Sequence, residues 1–179
     1  ADGLILLLRG ENAPVRMAMW NADGSRGAMC GNGLRCLAKL AWDHGHVQTK
    51  VFTVETDAGT RHVELLDGDL VRTEMGDVRC GDPAEIEVDG LRVTYVPGDA
   101  GNPHAVVFVD DVDGTDVVGI GLAMQARRDV FPDSVNVEFV QVLDAGQLRQ
   151  RTFERGSGET LACGTGAAVA ALAARQTGR

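Results

Sequence analysis

The chain has 179 residues and a formal net charge of −9, with 44% hydrophobic, 24% charged and only 4% aromatic residues. That balance is ordinary for a globular protein. The acidic excess argues against nucleic acid or an anionic membrane surface as a partner, since both demand a basic face, and no apolar run approaches the ~20 residues that a membrane-spanning helix requires.

Residues 1–8 enter directly as a strand, with no charged leader or cleavage site, which sets the expectation of a cytoplasmic protein. Residues 3–8 and 15–20 alternate or run apolar on either side of a turn at 10–14. A helix-forming run spans Leu34 to His44. Residues 51–56, 60–66 and 70–75 read as a meander, separated by the turns Asp57-Ala58-Gly59 and Asp67-Gly68-Asp69. Composition shifts at 76–83, which divides the chain into an N-terminal half, 1–76, and a C-terminal half, 77–179.

The second half opens with a strand at 85–95, a turn at Gly101-Asn102-Pro103-His104 and a strongly apolar strand at 105–109. Residues 119–130 carry helical spacing at Ile120, Ala123, Met124 and Arg127, and Phe131-Pro132 ends that run. Residues 135–142 form a strand, apolar on alternate positions, that contains Asn136; 148–153 form another. A last helix runs from Ala167 to Thr177. Both ends of the chain are expected to be cut short of further strands. Many strands, few helices and a repeat make the fold α+β, each half a curved, mostly antiparallel sheet around one central helix.

The repeat lies in two stretches, Met29-Cys30-Gly31-Asn32-Gly33 and Ala162-Cys163-Gly164-Thr165-Gly166. At an offset of 133 residues the match continues upstream without a gap: Val15-Arg16 falls on Leu148-Arg149, Trp20 on Phe153, Asn21 on Glu154, and Asp23-Gly24-Ser25 on Gly156-Ser157-Gly158. Each copy reads as a strand, a glycine-rich loop, a cysteine and a helix. A thiol at a helix N-terminus faces unpaired N–H groups and the positive end of the macrodipole, which favour the thiolate. Two halves facing each other across a pseudo-two-fold axis would bring the thiols together. The other cysteines are expected to be structural, Cys36 packed inside the first helix and Cys80 exposed in a loop. Four cysteines without a C-x-x-C pair suit neither a disulfide framework nor a structural zinc site, so reduced thiols and no metal are expected.

Taken together, Asn21-Ala22-Asp23-Gly24-Ser25, the run from Met29 to Cys36, Gly101-Asn102-Pro103-His104, and Glu154-Arg155-Gly156 leading into the second cysteine loop closely resemble the diaminopimelate epimerase family. The resemblance implies that family's fold, here without its N- and C-terminal strands, and a cofactor-independent epimerase interconverting LL- and meso-diaminopimelate for lysine and peptidoglycan synthesis. It implies Cys30 and Cys163 as the base and acid pair, with His104 and Glu154 assisting their proton transfers. Asn21, Asn102, Asn136, Glu154 and Arg155, with the helix starts at Gly31-Asn32 and Gly164-Thr165, would hold the substrate. A homodimer is what the family suggests.

The chemistry of the residue types is consistent with this. Inverting a carbon next to a carboxylate needs a base on one face and an acid on the other, and two thiols supply both as a coupled pair. Plainer readings exist for single residues: His104 after Pro103 as a turn histidine, Asn21 and Asn102 as turn formers, Glu154-Arg155 as a solvated pair, Asp23 and Glu159 as loop or cap residues. Asn136 is harder to place that way, since an amide within an apolar strand needs a partner. The rival activities are a proline or hydroxyproline racemase, a class that resembles this one but typically carries His in the place of Asn32, a non-catalytic amino-acid-binding protein, and a redox sensor that pairs Cys30 with Cys163.

Overall fold

The computed structural model describes residues 3–179; Ala1 and Asp2, the first positions of the expected opening strand, lie outside the described residues. Two compact units divide the chain, Ala1–Gly76 and Asp77–Arg179. In the first, β1 (Gly3–Arg9), β2 (Val15–Asn21), β3 (Arg26–Gly27), α1 (Gly31–Asp43), β4 (Val51–Thr56), β5 (Gly59–Leu65) and β6 (Val71–Thr73) follow in order. They form one sheet, β1-β2-β4-β5-β6, with β3 paired to β2. Its ladders are antiparallel except β2 with β4, between which the chain crosses over through α1. Leu34, Leu37, Ala38 and Ala41 recur at helical spacing and bury one stripe of α1 among Val15, Met17, Val54 and Val63.

The second unit contains β7 (Arg79–Cys80), β8 (Ala84–Val88), β9 (Leu91–Asp99), β10 (Pro103–Phe108), α2 (Val117–Ala126), β11 (Asn136–Asp144), β12 (Gln147–Glu154), β13 (Gly158–Thr160) and α3 (Gly164–Gln176). Its sheet runs β13-β12-β11-β10-β9-β7, with β8 also on β9. Only β10 and β11 are parallel, and α2 lies between them in the chain. Alternate residues feed two cores, as the pleat requires. Val93, Tyr95, Ala105, Val107, Val137 and Phe139 pack with Ile86, Val117 and Met124. Val96, Val106 and Val140 pack instead with Val169, Ala170 and Ala173 of α3. The α3 face therefore also carries the polar members of that alternation.

Several elements differ from the sequence expectation. The single strand expected at 85–95 is a hairpin, β8–β9, broken at Asp89-Gly90, whose φ values of 50° and 78° mark a primed two-residue turn. The helix expected at 119–130 is α2, which starts earlier because the Asp116 carboxylate caps it through the Gly119 N–H at 2.9 Å. It also ends earlier, because Arg127 turns out of the helix to pair with Asp129. The two cysteine-linked helices begin at Gly31 and Gly164, one turn before the expected Leu34 and Ala167. The Gly-x-Gly segments are thus the first helical turns, a role that glycine's poor helix propensity hides. Cys36 is exposed, and Cys80 lies half-buried in β7 with its thiol 3.7 Å from the Val169 carbonyl, the reverse of the expectation for this pair.

The internal repeat holds pair by pair. Leu4↔Trp20, Ile5↔Met19 and Arg9↔Val15 in the first unit reappear, 133 residues on, as Val137↔Phe153, Glu138↔Thr152 and Val142↔Leu148 in the second. Met19↔Gly27 reappears as Thr152↔Thr160, and α1 maps onto α3 end to end. β1-β2-β3-α1 and β11-β12-β13-α3 are one supersecondary unit used twice.

Among the described residues no helix is long and apolar enough to cross a membrane. Phe139 is completely buried between β11 and α2. Phe139→Ala is expected to cost about 3–5 kcal/mol, read as a lower urea midpoint of the intact chain. Leu161→Ala, at a fully exposed position, is the control and should change stability by less than about 0.5 kcal/mol.

Candidate active site

Each cysteine of the repeat is the N-cap of its helix. Cys30 (φ −134°, ψ 119°) and Cys163 (φ −119°, ψ 115°) are extended, and each thiol accepts the N–H of the third helical residue, Gly33 or Gly166, at 3.4 Å. A sulfur thereby takes the place that a Ser or Asp oxygen usually holds. Glycine at the third position is a spatial requirement. A Cβ on Gly33 would lie 2.1 Å from Ile5 Cδ1, and one on Gly166 would lie 2.2 Å from Glu138 Oε1. The sheet residue that meets the helix start is apolar in one unit and acidic in the other.

Around Cys163 the second unit gathers a buried polar cluster. Ligating atoms of Cys163, His104 and Glu138 all lie within 4.8 Å of one another. His104 Nδ1 is 2.8 Å from Glu138 Oε1, both side chains being fully buried, and Gln150 Nε2 donates to Glu138 Oε2 at 2.7 Å. An ionised carboxylate only accepts, so Nδ1 carries a proton. His104 Nε2 lies 3.0 Å from Asn102 Oδ1; with the ring proton on Nδ1, the Asn102 amide must turn its Nδ2 toward the ring to donate there, and the Thr165 hydroxyl contacts Cys163 Sγ at 3.3 Å. The strands explain the gathering: His104 pairs with Asn136 in the parallel β10–β11 ladder, and Glu138 lies two residues further along the same face.

At Cys163 the surroundings outweigh the preference of a helix start for the thiolate. Burial first, then the charges of Glu138 and Glu154, push the Cys163 thiol from its ordinary value of 9.0 up to about 12. The Thr165 hydroxyl and the Gly166 N–H act in the opposite direction but are outweighed. At neutral pH Cys163 is a thiol.

The remaining expected site residues fall into place locally. Asn136 donates from Nδ2 to the Pro103 carbonyl at 3.1 Å and accepts the Arg155 N–H at 2.9 Å, so its amide ties the start of β10 to the end of β12. Arg155 Nη1 donates to the Asp133 carbonyl at 2.9 Å. Glu154 Oε1 accepts the Thr160 hydroxyl across β12–β13. In the first unit, Asn21 closes the tight loop after β2, donating from Nδ2 to Ser25 Oγ at 2.9 Å, while Gly31 and Asn32 form the first turn of α1 behind Cys30. Glu138 and Gln150 were not singled out in the sequence. An acid inside the apolar strand at 135–142 was the available signal for Glu138.

The family model described as Diaminopimelate epimerase matches residues 1–81 and 98–179. The chain belongs to this family. Diaminopimelate epimerases of Bacillus cytotoxicus and Bacillus mycoides are each 42% identical over the whole chain, which spans 68% of their length. That of Desulforapulum autotrophicum is 42% identical over 99% of the chain and 69% of its own length. Among solved structures, a hydroxyproline epimerase from Agrobacterium vitis with bound trans-4-hydroxy-L-proline superposes with a TM-score of 0.80 at 20% identity, covering 99% of this chain and 60% of that one. A phenazine biosynthesis protein of the PhzF family from Bacillus anthracis gives 0.71 at 17% identity, covering 97% and 65%. The chain thus spans less than two thirds of these structural neighbours, and identities this low speak to the shared fold alone.

Within this diaminopimelate epimerase family member, two measurements probe the helix starts. Gly166→Ala drives a methyl into the buried Glu138 carboxylate; it is expected to destabilise by about 1–3 kcal/mol, despite a helix-propensity gain of about 1 kcal/mol. Gly33→Ala clashes with the rotatable end of Ile5 and otherwise meets Met17 Cε at an ordinary 3.4 Å, and Ile5→Val should restore most of any loss, measured by urea unfolding of the single and double variants. The second measurement concerns pH. The Cys163 thiol has a folded value of about 12 against an ordinary 9.0, so its contribution to stability is fully present below about pH 9 and is lost as pH rises toward 12. Cys163→Ala removes this dependence, so the gap in stability between wild type and variant should narrow between pH 8 and pH 10.5.

Proposed function

We propose that the protein is a cofactor-independent amino-acid epimerase that interconverts LL- and meso-diaminopimelate, supplying lysine and peptidoglycan synthesis. The observation that carries this reading is the cysteine-capped helix start that occurs once in each half of a chain of this family. One thiolate removes the α-proton of the substrate and the other thiol delivers a proton to the opposite face, which inverts the carbon. One proton enters and one leaves, so the pair finishes with its protonation exchanged and the reverse reaction swaps the roles. First-turn N–H groups and the positive ends of α1 and α3 would stabilise the negative charge that develops on the substrate carboxylate.

In this reading His104 and Glu154 assist the proton transfers, and Asn21, Asn102, Asn136 and Arg155 hold the ammonium and carboxylate groups of the ligand. Such a mixed polar set also gives specificity, because an analogue lacking the distal amino-acid group would leave buried partners unmade. The reading calls for neither a metal nor a cofactor, and takes the enzyme to be a cytoplasmic homodimer. The likeness to a hydroxyproline epimerase, at 20% identity, carries no substrate.

The test is α-proton exchange in D₂O, followed by NMR under reducing conditions on LL-diaminopimelate and on L-proline. Wild type should exchange and invert diaminopimelate alone, and Cys30→Ser or Cys163→Ser should each lower inversion by about 10²–10⁴-fold. Exchange on L-proline instead would move the assignment to the racemases. Exchange on neither substrate by a folded sample would sink it.

A further inference from the structure

The two copies of the repeat differ in polarity at the strand positions beneath the helix start, and in charge again where Asn21 has its counterpart in Glu154. Ile5 occupies the place below the helix start in the first unit, with Met17 Cε also in range of Gly33; at the positions 133 residues on stand Glu138 and Gln150. The ladder registers are identical, so this is a substitution within one geometry and not a difference of fold. An apolar pair has its counterpart in a carboxylate and its hydrogen-bond donor, both built into the sheet beneath a thiol. A buried carboxylate is retained only where partners compensate its desolvation, and Glu138 has them on both oxygens, His104 on Oε1 and Gln150 on Oε2.

We propose that Glu138, clamped by Gln150, is a positioning residue that anchors His104 through Nδ1 and holds Cys163 in its protonated form, making the second half of the repeat the proton-donating half of the free enzyme. This rests on the epimerase reading for its catalytic meaning, and on the second unit alone for its geometry. The groups that face Cys163 are His104 from β10, Glu138 from β11, Glu154 from β12, and the Thr165 hydroxyl and Gly166 N–H from α3. Two carboxylates on the sheet side oppose ionisation of the thiol, and the helix start alone favours it. In the first unit, Ile5 brings no charge to the corresponding place.

His104 is oriented by the same clamp. With Nδ1–H committed to Glu138, the ring presents Nε2 toward Asn102 and cannot rotate without stranding a buried carboxylate oxygen. The role of Glu138 is therefore exerted through His104 and through its field at Cys163, with no contact to substrate required.

The test is residue-resolved iodoacetamide alkylation of the intact chain across pH 7 to 11, read by mass spectrometry. The samples are wild type, Glu138→Gln, and the double variant Glu138→Ile with Gln150→Met, which gives the second half the apolar pair of the first and keeps the packing against the glycine. Removing the Glu138 charge should lower the alkylation profile of Cys163 by about one pH unit. At a fixed pH below the midpoint this is a gain of about threefold, since the tenfold rise in thiolate is offset by the weaker nucleophilicity of a less basic sulfur. Cys30 is the internal reference and should not move.

A Cys163 profile unchanged in either folded variant overturns the positioning role. The diaminopimelate exchange assay on wild type separates this from the parent reading. Exchange together with an unmoved Cys163 profile sinks only the role of Glu138, while a moved profile without exchange supports that role and sinks the epimerase.

Discussion

The constraint on which both halves depend is the close approach of a helix start to the strand beneath it. Gly33 and Gly166 carry no side chain, so the first turn of α1 or α3 can settle onto a residue of β1 or β11. That closeness aims the capping cysteine and its neighbouring N–H groups at one place, and it puts the strand residue close enough to act on the thiol. A side chain at Gly166 would meet the pinned Glu138 carboxylate, and one at Gly33 would have to displace the end of Ile5. The repeat is therefore a device for holding a thiol at a helix N-terminus against a chosen chemical background, and the background is set by the strand residues around it.

Around that device the rest of the second unit is arranged by alternation. β10, β11 and β12 send Val107, Phe139 and Phe153 to the α2 core. They send His104, Glu138 and Gln150 to the face that α3 covers, where the polar residues are bonded to one another. A polar cluster of this kind is tolerated because each member is satisfied. The parallel pairing of β10 with β11 matters here, because it brings His104 opposite Asn136, with Glu138 next on that face; a one-residue shift of β11 would send Asn136 and Glu138 to the apolar core.

Much of this architecture is legible in the residues because the repeat is gapless. The strand, loop, cysteine and helix of each copy follow one another at a constant offset, and the strand pairs keep it. Boundaries are less legible where glycine is involved. The helix starts at Gly31 and Gly164 are concealed by residues that disfavour helix, and their helicity comes from tertiary packing and the sulfur caps. The hairpin at Asp89-Gly90 carried a strong turn signal that the apolar run around it outweighed. Cys36 and Cys80 could not be ranked by burial from sequence, since helix position says little until the face that packs is known.

The site chemistry is legible to a different depth. The cysteines announce themselves by motif, whereas Glu138 and Gln150 lie in strands and share no motif with anything. Only the pair registers bring Glu138 beneath Cys163, and only the comparison between halves reveals that Ile5 and Met17 hold the corresponding places. This is also why a thiol at a helix N-terminus is not by itself a thiolate. The helix contributes a favourable partial charge, but desolvation and two carboxylates raise Cys163 to about 12, so the surroundings decide its protonation. A repeat copied with changed strand side chains can in this way place the same thiol against an apolar background in one half and a carboxylate in the other.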